Sequence, residues 1–80
     1  MKDAIESISN CNVVFTHNFY VFMIEPYYSG LVTNDPKIQA DCVVKGIENE
    51  GLDEYIEIHN CTLKRTISRN EKNLFEIYEC

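Results

Sequence analysis

The last third of the chain constrains the fold most, because its apolar and polar residues alternate as they do in half-buried strands. Leu52, Ile56 and Ile58 share one phase of a two-residue repeat, and the acidic residues between them share the other. Two tight turns further along would fold residues 52–80 into a three-stranded antiparallel meander. We therefore expect the C-terminal third to be sheet.

Turns at residues 60–61 and 70–71 fix the register expected for this meander. Apolar residues then face apolar residues and opposite charges meet, as cross-strand pairs in a sheet should. The expected pairs are Ile58 with Leu63, Glu57 with Lys64, Asp53 with Ser68, Ile67 with Leu74, Arg65 with Glu76 and Leu63 with Tyr78. In this register Arg65 lies on the buried face and depends on Glu76 as its partner.

The first half of the chain adds one helix and two strands. Asp3 and Glu6 have the spacing of a capping box, which predicts a short helix over about residues 3–10. β-Branched and aromatic residues then predict strands at residues 13–15 and 19–24, and Pro26 ends the second.

Residues 34–46 fit two patterns. Ile38, Ala40, Cys42 and Val44 alternate with polar residues, which favours a strand, but the segment also fits a second helix at 36–45. With the strand, the fold class is α+β and β-rich: a single domain over residues 1–80, with an antiparallel sheet of five or six strands and one short N-terminal helix.

The cysteines and the amino terminus indicate a compartment. No segment has the apolar core of a signal peptide or the length of a membrane span, so we expect a cytoplasmic protein. In the cytoplasm the four cysteines would be reduced thiols, whereas a disulfide framework would be typical of a secreted protein.

The charge of the chain narrows its partners. Thirteen acidic residues against seven basic ones give a net charge of −6, which opposes binding to a phosphate backbone and favours a basic protein surface. The adjacent tyrosines Tyr27 and Tyr28 cannot both point inward, so at least one should be accessible as a contact residue. The residues expected to bind a partner are Glu48, Glu50, Asp53, Glu54, Tyr55, Tyr27 and Tyr28.

These observations favour a non-enzymatic, acidic protein-binding module. By analogy with anti-restriction and anti-CRISPR proteins, it could be a phage or mobile-element inhibitor of a host nucleic-acid-binding or defence protein. One alternative is a small OB-like nucleic-acid-binding protein that uses the basic hairpin residues Lys64, Arg65, Arg69 and Lys72 beside aromatic residues. A second alternative is a structural subunit or homodimer that pairs through a sheet edge, such as that of residues 73–80.

Catalytic and metal-binding patterns are missing from the sequence. It has no Cys-x-x-Cys, no His-x-x-x-His and no glycine-rich phosphate loop, and the acidic segment lacks the spacing of a calcium loop. Cys11 with His17, or His59 with Cys61, supply the residue types for nucleophilic catalysis but no recognisable arrangement. We therefore expect no catalytic residue, metal or cofactor.

Overall fold

In the computed structural model, which describes residues 2–46, 52–70 and 72–80, three short helices flank a five-stranded mixed sheet. The helices are α1 (Lys2–Ser7), α2 (Asn18–Ile24) and α3 (Leu52–Ile58), and a single 3₁₀ turn (Glu25–Tyr27) follows α2. The strands are β1 (Val13–Thr16), β2 (Leu31–Thr33), β3 (Cys42–Gly46), β4 (Thr62–Arg69) and β5 (Lys72–Glu79). The described helices include none that is both long and apolar enough to cross a membrane.

The sheet has the strand order β2-β1-β3-β5-β4. β1 runs parallel to both β2 and β3, whereas β5 runs antiparallel to β3 and β4. The expected strand-rich α+β fold and its number of strands are confirmed, but the sheet is mixed rather than purely antiparallel. The reason is α2, since a helix between two strands lets the second run parallel to the first.

α2 replaces the strand expected at residues 19–24. Tyr20, Val21 and Ile24 are spaced so that one helical face meets the sheet, and Ile24 is fully buried there. This packing outweighs the strand propensity of the aromatic and β-branched residues. Pro26 ends the α-helix because it lacks an N–H group, and the chain continues as the 3₁₀ turn.

α3 replaces the first strand of the expected meander. Leu52, Tyr55 and Ile56 follow the helical spacing i, i+3 and i+4 and pack together against the sheet. The sequence thus carries both periods, and helical packing wins. The cross-strand pairs expected for this segment are therefore wrong: Ile58 with Leu63, Glu57 with Lys64, and Asp53 with Ser68.

The segment before β3 is neither a strand nor the alternative helix at 36–45. The Asp35 carboxylate accepts a hydrogen bond from the Lys37 N–H at 2.9 Å, which makes a local turn. The strand begins only at Cys42, so the expected alternation breaks at that point. Ala40 accordingly packs in a different core cluster from Cys42.

The β4–β5 hairpin is confirmed, but its register is only partly as expected. Leu63 faces Tyr78 as predicted, and two irregularities in β4 then shift the remaining pairs. Arg65 faces Ile77 instead of Glu76, and its side chain is exposed. The predicted buried Arg65–Glu76 pair is therefore wrong. Ile67 likewise faces Phe75 and not Leu74.

Two apolar cores lie on opposite faces of the sheet, because successive strand residues point to opposite sides. The first core, under α1 and α2, contains Ile8, Cys11, Val14, Ile24, Val32, Cys42, Val44, Ile67 and Ile77. The second core, under α3, contains Phe15, Ala40, Val43, Leu52 and Tyr55. The helices therefore cover both faces of the small sheet.

Two disulfides join all four cysteines, Cys11 with Cys42 and Cys61 with Cys80. Cys42 begins β3, Cys61 directly precedes β4 and Cys80 directly follows β5. Both bonds therefore lie at the same end of the sheet. The expectation of reduced thiols is wrong for this structure, because residues far apart in sequence meet where neighbouring strands begin and end.

Asp41 holds this end of the sheet together. Its carboxylate accepts hydrogen bonds from the N–H groups of Asn12 and Val13 at 2.9 and 2.7 Å. Burial alone would raise the pKa of Asp41, but these donors stabilise the charged carboxylate and leave its pKa below the usual value. The Asp41 carbonyl also accepts from the Cys80 N–H at 3.0 Å, which ties the last residue to the start of β3.

Candidate functional site

The acidic cluster expected to bind a partner is only partly described. Glu48 and Glu50 lie outside the described residues. Asp53 forms an ion pair with Lys45 at 2.5 Å, and Lys45 also lies 3.6 Å from Glu76. The hydrogen bond from Asp53 is the main reason that the pKa of Lys45 is raised. Asp53 thus has a basic partner within the chain, contrary to expectation.

Tyr55 lies in the second core and not on the surface. It is 5% exposed, and its ring stacks on Phe15 with 3.8 Å between the ring centroids. Its hydroxyl donates to the Ile38 carbonyl and accepts from the Ala40 N–H, both at 2.9 Å. This placement leaves Tyr55 no area for a partner. Glu54, one residue earlier, is exposed.

The two adjacent tyrosines have different surroundings, which confirms that at least one is accessible. Tyr28 packs against the first core, and its hydroxyl donates to the Cys11 carbonyl. Burial raises the pKa of Tyr28. A Cβ at Gly30 would lie 2.7 Å from the Tyr28 ring, so this close approach requires glycine. Tyr27 instead points outward.

The outer side of α2 and the 3₁₀ turn forms an exposed apolar surface, here called the α2 face: Phe22, Met23 and Tyr27. Phe22 is 80% exposed and Tyr27 is 73% exposed, the two highest values among the large apolar side chains described. Met23 and Tyr27 are four residues apart and so are neighbours along the helix surface. The α2 face was not expected as a whole, because the sequence pattern placed Phe22 and Met23 in a strand.

The other exposed apolar side chains are scattered over different elements. Leu31 is on β2, next to Val32, which faces α2, so Leu31 points to the opposite side of the sheet. Leu63 and Leu74 lie on the β4–β5 hairpin. Single exposed residues of this kind are normal in soluble proteins. The α2 face differs because its three members lie within six consecutive positions.

The basic residues of the hairpin are partly engaged. Lys64 lies 3.7 Å from Glu79, and the Arg65 guanidinium donates to the Ser7 hydroxyl at 2.8 Å. Lys72 is exposed, and the side chain of Arg69 is outside the described part of the structure. The nucleic-acid alternative gains no support from this arrangement and stays a prediction.

The edges of the sheet also differ from the expectation. β5 lies between β3 and β4, so residues 73–80 offer no open edge. The outer strands are β2 and β4. β4 carries exposed Lys64 and two register irregularities, features that discourage pairing with another strand. Pairing of two copies through an edge therefore gains nothing from the fold.

One group of metal-ligand side chains occurs among the described residues. Cys11, Asp41 and Cys42 offer ligand atoms within 4.8 Å of one another. Both sulfur atoms are joined in the Cys11–Cys42 disulfide, so neither is the thiolate that a metal would require. This group is explained as a structural cross-link beside a hydrogen-bonded carboxylate.

No protein-family model, no curated protein and no solved structure matches this chain. Any function assigned to the chain therefore depends on its own residues and their geometry.

Proposed function

We propose that the protein is a non-enzymatic protein-binding module, and that its α2 face enters an apolar pocket on a basic partner protein. The observation that carries this proposal is the exposure of Phe22 and Tyr27, at 80% and 73%. Aromatic residues and methionine are enriched at protein interfaces, and the α2 face contains no other residue type.

The energetics favour such contacts as anchors. Burying a large apolar side chain that is otherwise in water contributes about 1.5–3 kcal/mol. Phe22 and Tyr27 also have few rotatable bonds, so little conformational entropy is lost when a partner fixes them. Neither is used by the cores of this chain, and both are therefore available to a partner.

Charge defines the class of partner. The net charge is −6, and Glu25 is exposed on the same turn as Tyr27. Complementary potentials speed association and exclude wrong partners, so a basic rim around the partner's pocket would fit. Nucleic-acid-binding proteins carry such surfaces. Inhibition of a nucleic-acid-binding or defence protein, as by a phage-encoded inhibitor, is therefore the specific form of this proposal that the charge supports.

The cytoplasmic location stays a prediction. Disulfides persist in oxidising compartments and are rare in the cytoplasm, so the two bonds in this structure favour an oxidising environment. Rapid alkylation of free thiols in cells of the source organism, followed by mass measurement, would show which state is present.

The variant F22S/Y27S tests the proposed function. It removes both aromatic anchors, so we expect affinity for the partner to fall by at least about 100-fold, since interface anchors often contribute 2 kcal/mol or more each. The partner would be captured from lysate with the wild-type protein and purified, and binding of each variant would be measured by calorimetry.

The matched control is L63S/L74S, which removes two exposed apolar residues on the hairpin. We expect this control to bind like the wild type. Both variants should unfold within about 0.5 kcal/mol of the wild type, because the changed side chains are exposed. Equal binding by F22S/Y27S and the wild type would contradict the proposal.

A further inference from the structure

A cleft of about 490 Å³ opens at the carboxyl ends of β1 and β2, on the side of the sheet that α3 covers. It lies on the opposite side from α2. Its lining residues are Phe15, Thr16, His17, Asn34, Pro36, Leu52, Glu54, Tyr55, Ile58 and His59. The volume is within the range of sites for small molecules, about 300–1,000 Å³.

The position of the cleft agrees with a general rule for sheets with parallel strands. Ligands bind beyond the carboxyl ends of the strands, where neighbouring strands send their connections to opposite faces. Here β1 leads into α2 on one face, whereas β3 leads toward α3 on the other. The cleft lies beside this switch point, and none of the partner-binding residues of the α2 face borders it.

Aromatic rings form one wall of the cleft. Tyr55 lies between Phe15 and His59, with ring centroids 3.8 Å from the first and 4.1 Å from the second. The hydroxyl of Tyr55 is held by two backbone groups, so the stack is preorganised. Such a wall suits a planar ring, since aromatic pairs gain about 0.5–1.5 kcal/mol beyond the burial of area.

The rim of the cleft selects charge. Glu54 is exposed there, and no lysine or arginine is among the lining residues that the structure describes. An anionic ligand would therefore meet a carboxylate and no fixed cation. Ile58 is 66% exposed at the same rim and offers an apolar contact that the fold itself does not use.

From this juxtaposition we infer that the cleft binds a small planar aromatic cation, with the ring against the Phe15–Tyr55–His59 stack and the positive group near Glu54. The inference is independent of the α2 face and of any protein partner.

The test uses tyramine and 4-hydroxyphenylacetate, which share one ring and carry opposite charges. Each is titrated into the ¹⁵N-labelled full chain, and amide shifts are followed by NMR. We expect tyramine to shift cleft amides with a Kd of about 0.1–1 mM, a fragment-like affinity for some ten heavy atoms. The acid should bind about two- to fivefold more weakly, as expected for one exposed charge pair.

Two variants of α3 complete the test. Glu54→Gln should remove the preference for the amine over the acid, whereas Glu57→Gln, exposed on the same helix but outside the cleft, should keep it. Three results would each overturn the inference: no shifts at several millimolar tyramine, shifts centred on the α2 face, or an amine preference that survives in Glu54→Gln.

Discussion

Replacing Cys11 and Cys42 with alanine should lower the free energy of unfolding by about 3–4 kcal/mol. The bond joins residues 31 positions apart, and the loss of loop-closure entropy from the unfolded chain then amounts to about 3.7 kcal/mol. Small domains have only about 5–15 kcal/mol of total stability, so this bond is a large share of it.

Urea unfolding followed by far-ultraviolet circular dichroism measures this effect. The variant C61S/C80S serves as comparison, because its bond spans 19 residues and should contribute about 3.2 kcal/mol. Wild-type protein in excess dithiothreitol should lose stability in the same direction. A Cys11/Cys42 variant as stable as the oxidised wild type would show that this cross-link does not form in solution.

Replacing Tyr55 with alanine is the second change with a large expected effect, about 3–5 kcal/mol of lost stability. It removes an aromatic side chain from the second core and leaves a cavity beside Phe15. It also leaves the Ala40 N–H without its acceptor. A surface tyrosine used only for partner binding would change stability by less than about 0.5 kcal/mol.

Tyr55→Phe separates packing from hydrogen bonding. It keeps the ring but loses the hydroxyl that bridges Ile38 and Ala40, so we expect a smaller loss of about 1–3 kcal/mol. Both variants can be measured by thermal and urea unfolding under oxidising conditions. Wild-type stability in Tyr55→Ala would contradict the placement of α3 against the sheet.

The sequence allowed some elements of this fold to be predicted from local signals. The capping pattern near Asp3 gave the N-terminal helix, and continuous alternation gave the β4–β5 hairpin. Local signals failed in two short segments where strand and helix periods coexist. In α3, Leu52 and Ile56 fit both periods, and only the meeting of Tyr55 with Phe15 across the fold favours the helix.

The same limit applies to the candidate sites. Accessibility of one of the paired tyrosines followed from their adjacency, but the exposure of Phe22 depends on α2 being a helix. The inward stripe of Tyr20, Val21 and Ile24 was the signal for it. Disulfide pairing could not be predicted because spacing alone does not define connectivity. The cleft likewise depends on parallel strands that are distant in sequence.

Photo-cross-linking tests the proposed α2-face interaction most directly. p-Benzoylphenylalanine would replace Phe22 or Tyr27 in separate variants, with Leu63 and Leu74 as control positions, and each variant would be irradiated in cells of the source organism. We expect positions 22 and 27 to link the same single protein, while positions 63 and 74 do not. Equal products at all four positions, or none at 22 and 27, would contradict the proposal that the α2 face binds a partner.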